Sequence, residues 1–376
     1  MTDYKDSSHF SVTSSKRFVT VEKQDPLFKK YLWGKWQGLP GLNKSDCILP
    51  IETLNLNSSE EVVTFQILQK DEIRRPSVFQ FLTSLIKLKS YILILLPLFY
   101  VLSKNYATNR FHDPFSLALS ALAMLFFYAG INIRNDVIDH VSGYDRVNFA
   151  FTNKPISLGW LTAAKAAYLS WVLFGISIVM AFPALVLEAE LVRLLVVVVG
   201  LFLAGQFFSQ NSYKQQTWGE LILFLLIGPG LAAGFQVSLG AGIDTQILAF
   251  GFLWGFAVLF LIHIHHFSHL LTSSQARIQN TITKMGFDRA QFFLIGWWTL
   301  FCIFWFVFHL FYSSLFWTIF DSIILVFGSV PLVAQIFRIR SPIGSDLYQV
   351  RKIAYRTFLL MTLLLFVENG WSVFRS

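Results

Sequence analysis

From about residue 79 onward the sequence alternates apolar runs of roughly 18 to 23 residues with short polar segments, the repeat of a chain that crosses a bilayer several times. The runs fall at 84–103, 115–133, 161–183, 190–208, 219–240, 246–266, 291–312, 315–337 and 353–374, which predicts nine transmembrane helices. Before them, residues 1–80 are polar and mixed, with turn formers at Gly38-Leu39-Pro40-Gly41 and an alternating stretch, Val62–Ile67, that has the period of a strand. The expected organisation is an N-terminal extension over 1–80 and a polytopic domain over 81–376. Two readings of the extension are open: partial disorder, or docking on the membrane domain through Trp33 and Trp36.

Composition narrows the class. Hydrophobic residues make up 55% of the 376 and charged residues 14%, against about 25% charged in soluble domains. That excludes a soluble globular protein, a disordered chain and a collagen. The two cysteines, Cys47 and Cys302, give neither a disulfide framework nor metal-ligand spacing. The net charge of +8 comes from 30 basic against 22 acidic residues, and thirteen of the basic ones precede residue 90. Most others fall in alternate loops, the bias of cytoplasmic segments. The basic balance is therefore read as topology, with the bilayer rather than nucleic acid as partner and the N-terminus cytoplasmic. No apolar core follows the first charges, so no cleavable signal peptide is expected.

The first inside loop, after helix two, carries specific chemistry. In Asn132-Ile133-Arg134-Asn135-Asp136-Val137-Ile138-Asp139, the residues Asn132, Asn135, Asp136 and Asp139 share one face if the helix continues. A turn at Gly143 brings Asp145 back toward them. Clustered carboxylates suit a hard divalent cation such as Mg²⁺ bridging to a phosphate; the other reading is a solvated helix end with surface acids.

The pattern Asn132-x-x-Asn135-Asp136-x-x-Asp139-x-x-x-Gly143-x-Asp145 resembles the first aspartate-rich motif of the UbiA superfamily of intramembrane prenyltransferases. The form is that of the 1,4-dihydroxy-2-naphthoate prenyltransferases of menaquinone synthesis. Lys154-Pro155-Ile156-Ser157-Leu158-Gly159 resembles the segment leading into helix three, with lysine in place of the usual arginine. Tyr213, Gly219-Glu220, Gly228-Pro229, Gly234 and Gln236 resemble the loop and helix five of the same branch. The likeness spans about residues 80–376.

The resemblance implies an all-α membrane protein with a nine-helix bundle, in a bacterial-type cell membrane. It implies prenyl transfer from a polyprenyl diphosphate to an aromatic acceptor at the cytoplasmic mouth. In that scheme Asp136, Asp139 and Asp145 hold Mg²⁺ on the diphosphate, and Asn132 and Asn135 support them. Arg146, Lys154, Tyr213, Arg277 and Lys284 bind substrate. Glu220 orients the acceptor or serves as base; read alone, it is an acid at a helix N-terminus, favoured by the dipole.

The family's second aspartate motif is expected after helix six. Here His269 and Ser273 stand at its two aspartate positions, and no carboxylate occurs between His263 and Asp288. Three readings follow. Chemistry persists on the first cluster, with Arg277, Lys284 and protonated histidines taking the diphosphate. Alternatively His263, His265, His266 and His269 bind a transition metal, as in a membrane oxidoreductase. In the third, the chain is a catalytically silent isoprenoid- or quinone-binding protein.

Overall fold

The computed structural model describes residues 17–36, 42–43, 46–108, 114–147, 154–187, 199–200, 217–276, 278–342 and 346–375. In the N-terminal part, Arg17–Glu22 (β1), Asp46–Leu54 (β2) and Val62–Gln69 (β3) form an antiparallel sheet ordered β1-β3-β2. One strand was expected here and three are present. The central strand β3 alternates cleanly, burying Val63, Phe65 and Ile67, whereas β2 is interrupted by a register shift between Pro50 and Glu52. Between β1 and β2 lies the helix Pro26–Trp33 (α1). Asp25 caps its N-terminus by accepting from the Leu27 amide at 2.7 Å, and Gly34 ends it in a left-handed turn. Its buried face carries Phe28, Tyr31 and Leu32, and Tyr31 stacks on Phe65 at 5.3 Å.

Helix Val78–Ile86 (α2) then leads through a left-handed Lys87 into a short turn and Ile92–Ala107 (α3). There follow Pro114–Ser142 (α4), Tyr144–Val147 (α5) and Ala163–Leu187 (α6). Thr217–Leu225 (α7) passes through a wide turn at Leu226–Gly230 into Leu231–Ser238 (α8). The chain ends with Thr245–Ser268 (α9), Leu270–Gln275 (α10), Thr281–Tyr312 (α11), Leu315–Phe337 (α12) and Asp346–Arg375 (α13).

Seven of the helical segments described are long and apolar enough to cross a membrane. Helix α13, with 30 residues, contains the last expected run but is not among the seven, and the run expected at 190–208 lies outside the described residues. Helix α4 runs nine residues past its apolar window, because nothing between Ile133 and Gly143 breaks a helix.

Two features of packing position the site. Pro229 cannot continue the helical hydrogen bonding, and the turn it causes presses Gly228 against α9. A Cβ on Gly228 would lie 2.7 Å from the Gly251 carbonyl oxygen, so only glycine permits this approach. Deeper in the bundle, Trp298 of α11 sits within 5.1–5.5 Å of Phe260, Phe301 and Phe358, joining α9, α11 and α13. Some polar residues within the bundle lie against one another, where water is scarce. Asn105 and Gln236 exchange two hydrogen bonds at 2.6 and 3.2 Å, and His309 lies 3.3 Å from Asp321.

The sheet domain sits on one end of this bundle. Leu85, Ile133, Val137, Ile156, Ala163 and Ala166 form a buried joint against which Trp33 and Phe81 pack. Trp36, by contrast, belongs to the core of the sheet domain and donates to the Asp46 carbonyl at 3.1 Å. Of the two tryptophans considered for docking, Trp33 is the one that packs on this joint. Polar links reinforce it: His140 Nε2 lies 3.2 Å from the Leu32 carbonyl, Trp160 Nε1 donates to the Arg74 carbonyl at 3.0 Å, and Asn57 donates to the Ala276 carbonyl at 3.1 Å.

Candidate active site

The extension of α4 past the apolar core carries Asp136 and Asp139 to the end of the bundle beneath the sheet, both buried. Gly143, at φ 87°, turns the chain so that α5 returns Asp145 to the same place. Lys154 enters from the following turn. Its ammonium donates to Asp139 and Asp145, each at 2.7 Å, and lies 3.4 Å from Asp136. Lys87, which nothing in the sequence pattern singled out, reaches Asp136 at 2.7 Å. Three carboxylates thus face two ammonium groups, leaving one net negative charge.

Burial pushes the Asp145 carboxyl up, to about 6, with Lys154 opposing and Asp139 reinforcing the shift. Burial pulls Lys154 the other way, but Asp139, Asp136 and Asp145 outweigh it and hold the ammonium well above its usual range. Asn132 donates to the Ile86 carbonyl at 3.1 Å, which fixes α4 against α2.

Lys154 and Arg146, expected on phosphate, both face carboxylates here. Lys154 binds the carboxylates. Arg146 is turned away and buried against Glu61 of the sheet domain at 2.9 Å, both side chains 3% exposed. Lys284 donates to Thr217 at 3.4 Å. Tyr213 and Arg277 lie outside the described residues.

The opposite wall meets this cluster through Tyr144, whose ring lies 6.3 Å from that of His269 and whose hydroxyl is near Ser273. The two positions of the missing aspartates do face the first cluster. Burial, with His266, Lys154 and Arg351 nearby, lowers the pKa of His269 and so opposes the protonated form. Nor do the four histidines converge. The rings of His265 and His269 meet at a tilt of 59°, 4.6 Å apart, whereas His263 and His266 turn toward Glu220. Both Glu220 oxygens are engaged by Thr281, through its hydroxyl and its amide, and His266 Nδ1 lies 3.3 Å from one of them.

Whether the residues fit Mg²⁺ is decided by their oxygens. Oδ2 of Asp136, Oδ2 of Asp145 and Oδ1 of Asn135 are buried without a hydrogen-bond partner among the described residues, while Oδ1 of Asp136 is ion-paired with Lys87 at 2.7 Å. An all-oxygen set with orphaned lone pairs fits one hard cation. The opposite wall, with an imidazole and a hydroxyl, does not supply the carboxylates for a second.

The position of Gly143 gives a direct test. A Cβ there would lie 2.6 Å from the Arg146 guanidinium and also collide with Leu56. Gly143→Ala is expected to lower stability by about 1–3 kcal/mol, the cost of a left-handed non-glycine residue, measured by thermal unfolding of the purified protein. An unchanged midpoint would show that the turn does not hold Asp145 and Arg146 in place.

A helical bundle of membrane-crossing length with an aspartate cluster at one rim defines a polytopic membrane protein with an oxygen-ligand site. The UbiA prenyltransferase family matches residues 95–363, and the chain belongs to that family. No curated protein matches the sequence. Among solved structures, a UbiA homolog from Archaeoglobus fulgidus bound to DMAPP and Mg²⁺ is similar at a TM-score of 0.57 and 15% identity, over 78% of this chain and 99% of that one. The same homolog bound to GPP and Mg²⁺ gives 0.56, with the same identity and coverage. A structure concerning digeranylgeranylglyceryl phosphate synthase in membranes gives 0.55 at 15% identity, over 77% and 98%.

Proposed function

We propose that the chain transfers a polyprenyl group from its diphosphate to an aromatic acceptor of quinone-type synthesis, the naphthoate of the menaquinone branch being the first to try. The observation that carries this reading is the convergence of Asp136, Asp139, Asp145 and Lys154 at the rim of a UbiA-family bundle. Two similar structures hold a prenyl diphosphate with Mg²⁺. The positive-inside asymmetry of the loops supports a site on the cytoplasmic side, and a bacterial-type cell membrane is the setting that this reading carries with it.

Asp136, Asp139 and Asp145 would hold Mg²⁺, which would supply Lewis-acid stabilisation of the departing diphosphate. The residues of the chain do the rest. Lys154 and Lys87 place positive charge where the diphosphate enters, and the allylic C–O bond breaks with its electron pair leaving on the diphosphate. The apolar helices exclude water while the acceptor ring attacks the allylic carbon, and the ring carbon regains aromaticity by losing its proton to the released diphosphate, or CO2 where it carries a carboxylate. Because Thr281 engages both oxygens of Glu220, that residue is assigned to positioning rather than to taking a proton. One cation site in place of two leaves the lysines a larger share of the charge, so Mg²⁺ dependence is shallower than two carboxylate walls would give.

The test is diphosphate release by the purified protein with DMAPP, GPP and longer prenyl diphosphates. Acceptors are 1,4-dihydroxy-2-naphthoate, a phenolic acid and a glycerol phosphate, each with Mg²⁺ or EDTA. Asp136→Asn is expected to lower the rate by about 10²–10³, the effect of removing one electrostatic partner of a reacting group. Release from none of these pairs, with isoprenoid binding retained, would favour the silent binding protein, the reading that the Lys154 ion pairs independently support.

A further inference from the structure

The part of the histidine group that turns away from the aspartates forms a cluster with a different chemistry. Glu220 of α7 and His263 and His266 of α9 each place one ligand atom within 4.8 Å of the others. His263 and His266 are three residues apart and share a helix face. Glu220 and His263 are buried, 6% and 1% exposed. The Nδ1 atoms of both histidines are shut off from solvent without a hydrogen-bond partner among the described residues. His266 Nδ1 lies 3.3 Å from Glu220 Oε1, outside hydrogen-bond geometry. That separation equals the edge of a tetrahedron around zinc, about 3.3 Å for bonds of about 2.0–2.1 Å. Buried imidazole nitrogens left without partners are costly in a protein interior, and a cation at this point would satisfy them.

We propose that Glu220, His263 and His266 form a site for a transition metal of the Zn²⁺ class, separate from the aspartate cluster. Two imidazoles and one carboxylate are a zinc donor set that leaves the fourth position open, and imidazole ranks zinc far ahead of magnesium. The aspartate cluster, all oxygen, has the opposite preference. Thr281, which bonds both oxygens of Glu220, supplies the outer support that metal carboxylates have. Because Thr281 is the first residue of α11, the metal clasps α7, α9 and the start of α11 together. That clasp anchors the end of the 276–280 connection, which follows the wall where the second pair of aspartates is missing. His263 makes edge contacts with Phe293 and Trp297 at 5.0 and 5.2 Å. With no hydrogen bond at Nδ1 to break, its ring is free to close the set.

The test uses the full-length protein in detergent, stripped of metal, offered Zn²⁺ or Mg²⁺ alone and then desalted, with bound metal counted by mass spectrometry. Stoichiometric zinc that resists desalting is expected, with no retained magnesium. His263→Ala and His266→Gln should abolish it, Glu220→Gln, which replaces the anionic ligand, should weaken it, and His265→Ala and His269→Ala should retain it. Co²⁺ loaded into the unmodified protein should show the visible absorption of a tetrahedral site, a readout that does not depend on any variant folding. Substoichiometric zinc in the unmodified protein, absence of those cobalt bands, or equal loss in the His265 and His269 variants would overturn the proposal. None of these readouts involves prenyl transfer, so the metal site stands or falls apart from that activity.

Discussion

Replacing Lys154 with methionine is expected to destabilise the protein by about 3–5 kcal/mol, the effect of removing one member of a buried ion pair. Its ammonium, one-fifth exposed, is within 3.4 Å of three carboxylates that are at most 9% exposed. Without it, Lys87 remains on Asp136 alone, and Asp139 and Asp145 lose their shared counter-charge. The deficit should depend on pH. Lys154 lowers the Asp145 pKa, so its loss raises a carboxyl that already titrates near 6, above its ordinary 3.8. A carboxyl whose folded pKa is raised binds more protons folded than unfolded, and stability falls as pH rises through that window. The deficit should therefore be smaller at pH 5 than at pH 8, as read by thermal unfolding.

Mg²⁺ should also restore more stability to the variant than to the unmodified protein, because the ammonium and the metal compete for the same oxygens. A Lys154→Met protein with an unchanged midpoint at pH 8 would show that these ion pairs do not form in solution.

The second large effect concerns the joint between the sheet domain and the bundle. Glu61→Gln is expected to cost about 3–5 kcal/mol, since it leaves the Arg146 guanidinium buried with the Val141 carbonyl at 3.4 Å as its remaining acceptor among the described residues. Arg146→Met should cost less, because Glu61 keeps Lys23 at 3.0 Å and the Asn57 amide at 3.2 Å. The double variant should recover part of the loss, and the coupling energy from that cycle measures the pair. Strictly additive losses would mean that the two residues do not meet. Because Arg146 adjoins Asp145, the same variants are expected to slow prenyl transfer, tying the sheet domain to the site beneath it.

Much of the membrane domain is legible in one dimension. In a bilayer each spanning segment must satisfy its own backbone and present apolar side chains, so length and hydropathy alone locate α4, α9 and α12. The i, i+3, i+4 spacing of Asn132, Asn135, Asp136 and Asp139, followed by Gly143, likewise locates the aspartates, because neighbours on a helix surface are set by local geometry. The strands β1 and β2 were harder to see, since a small soluble sheet draws its stability from contacts between segments and leaves only a short alternation in each.

The sequence by itself thus determined a polytopic membrane protein of basic inside loops, with three aspartates gathered after the second helix and no carboxylate in the stretch expected to oppose them. What only the tertiary structure decided is where the charges go. Lys154 turns inward to the aspartates, Arg146 outward to Glu61, and four histidines close in sequence divide between two faces, one of them shared with Glu220. Each of these choices joins segments that no local rule relates, and each is made by burial: a charge or imidazole taken out of water settles on whatever partner the packed helices bring within reach.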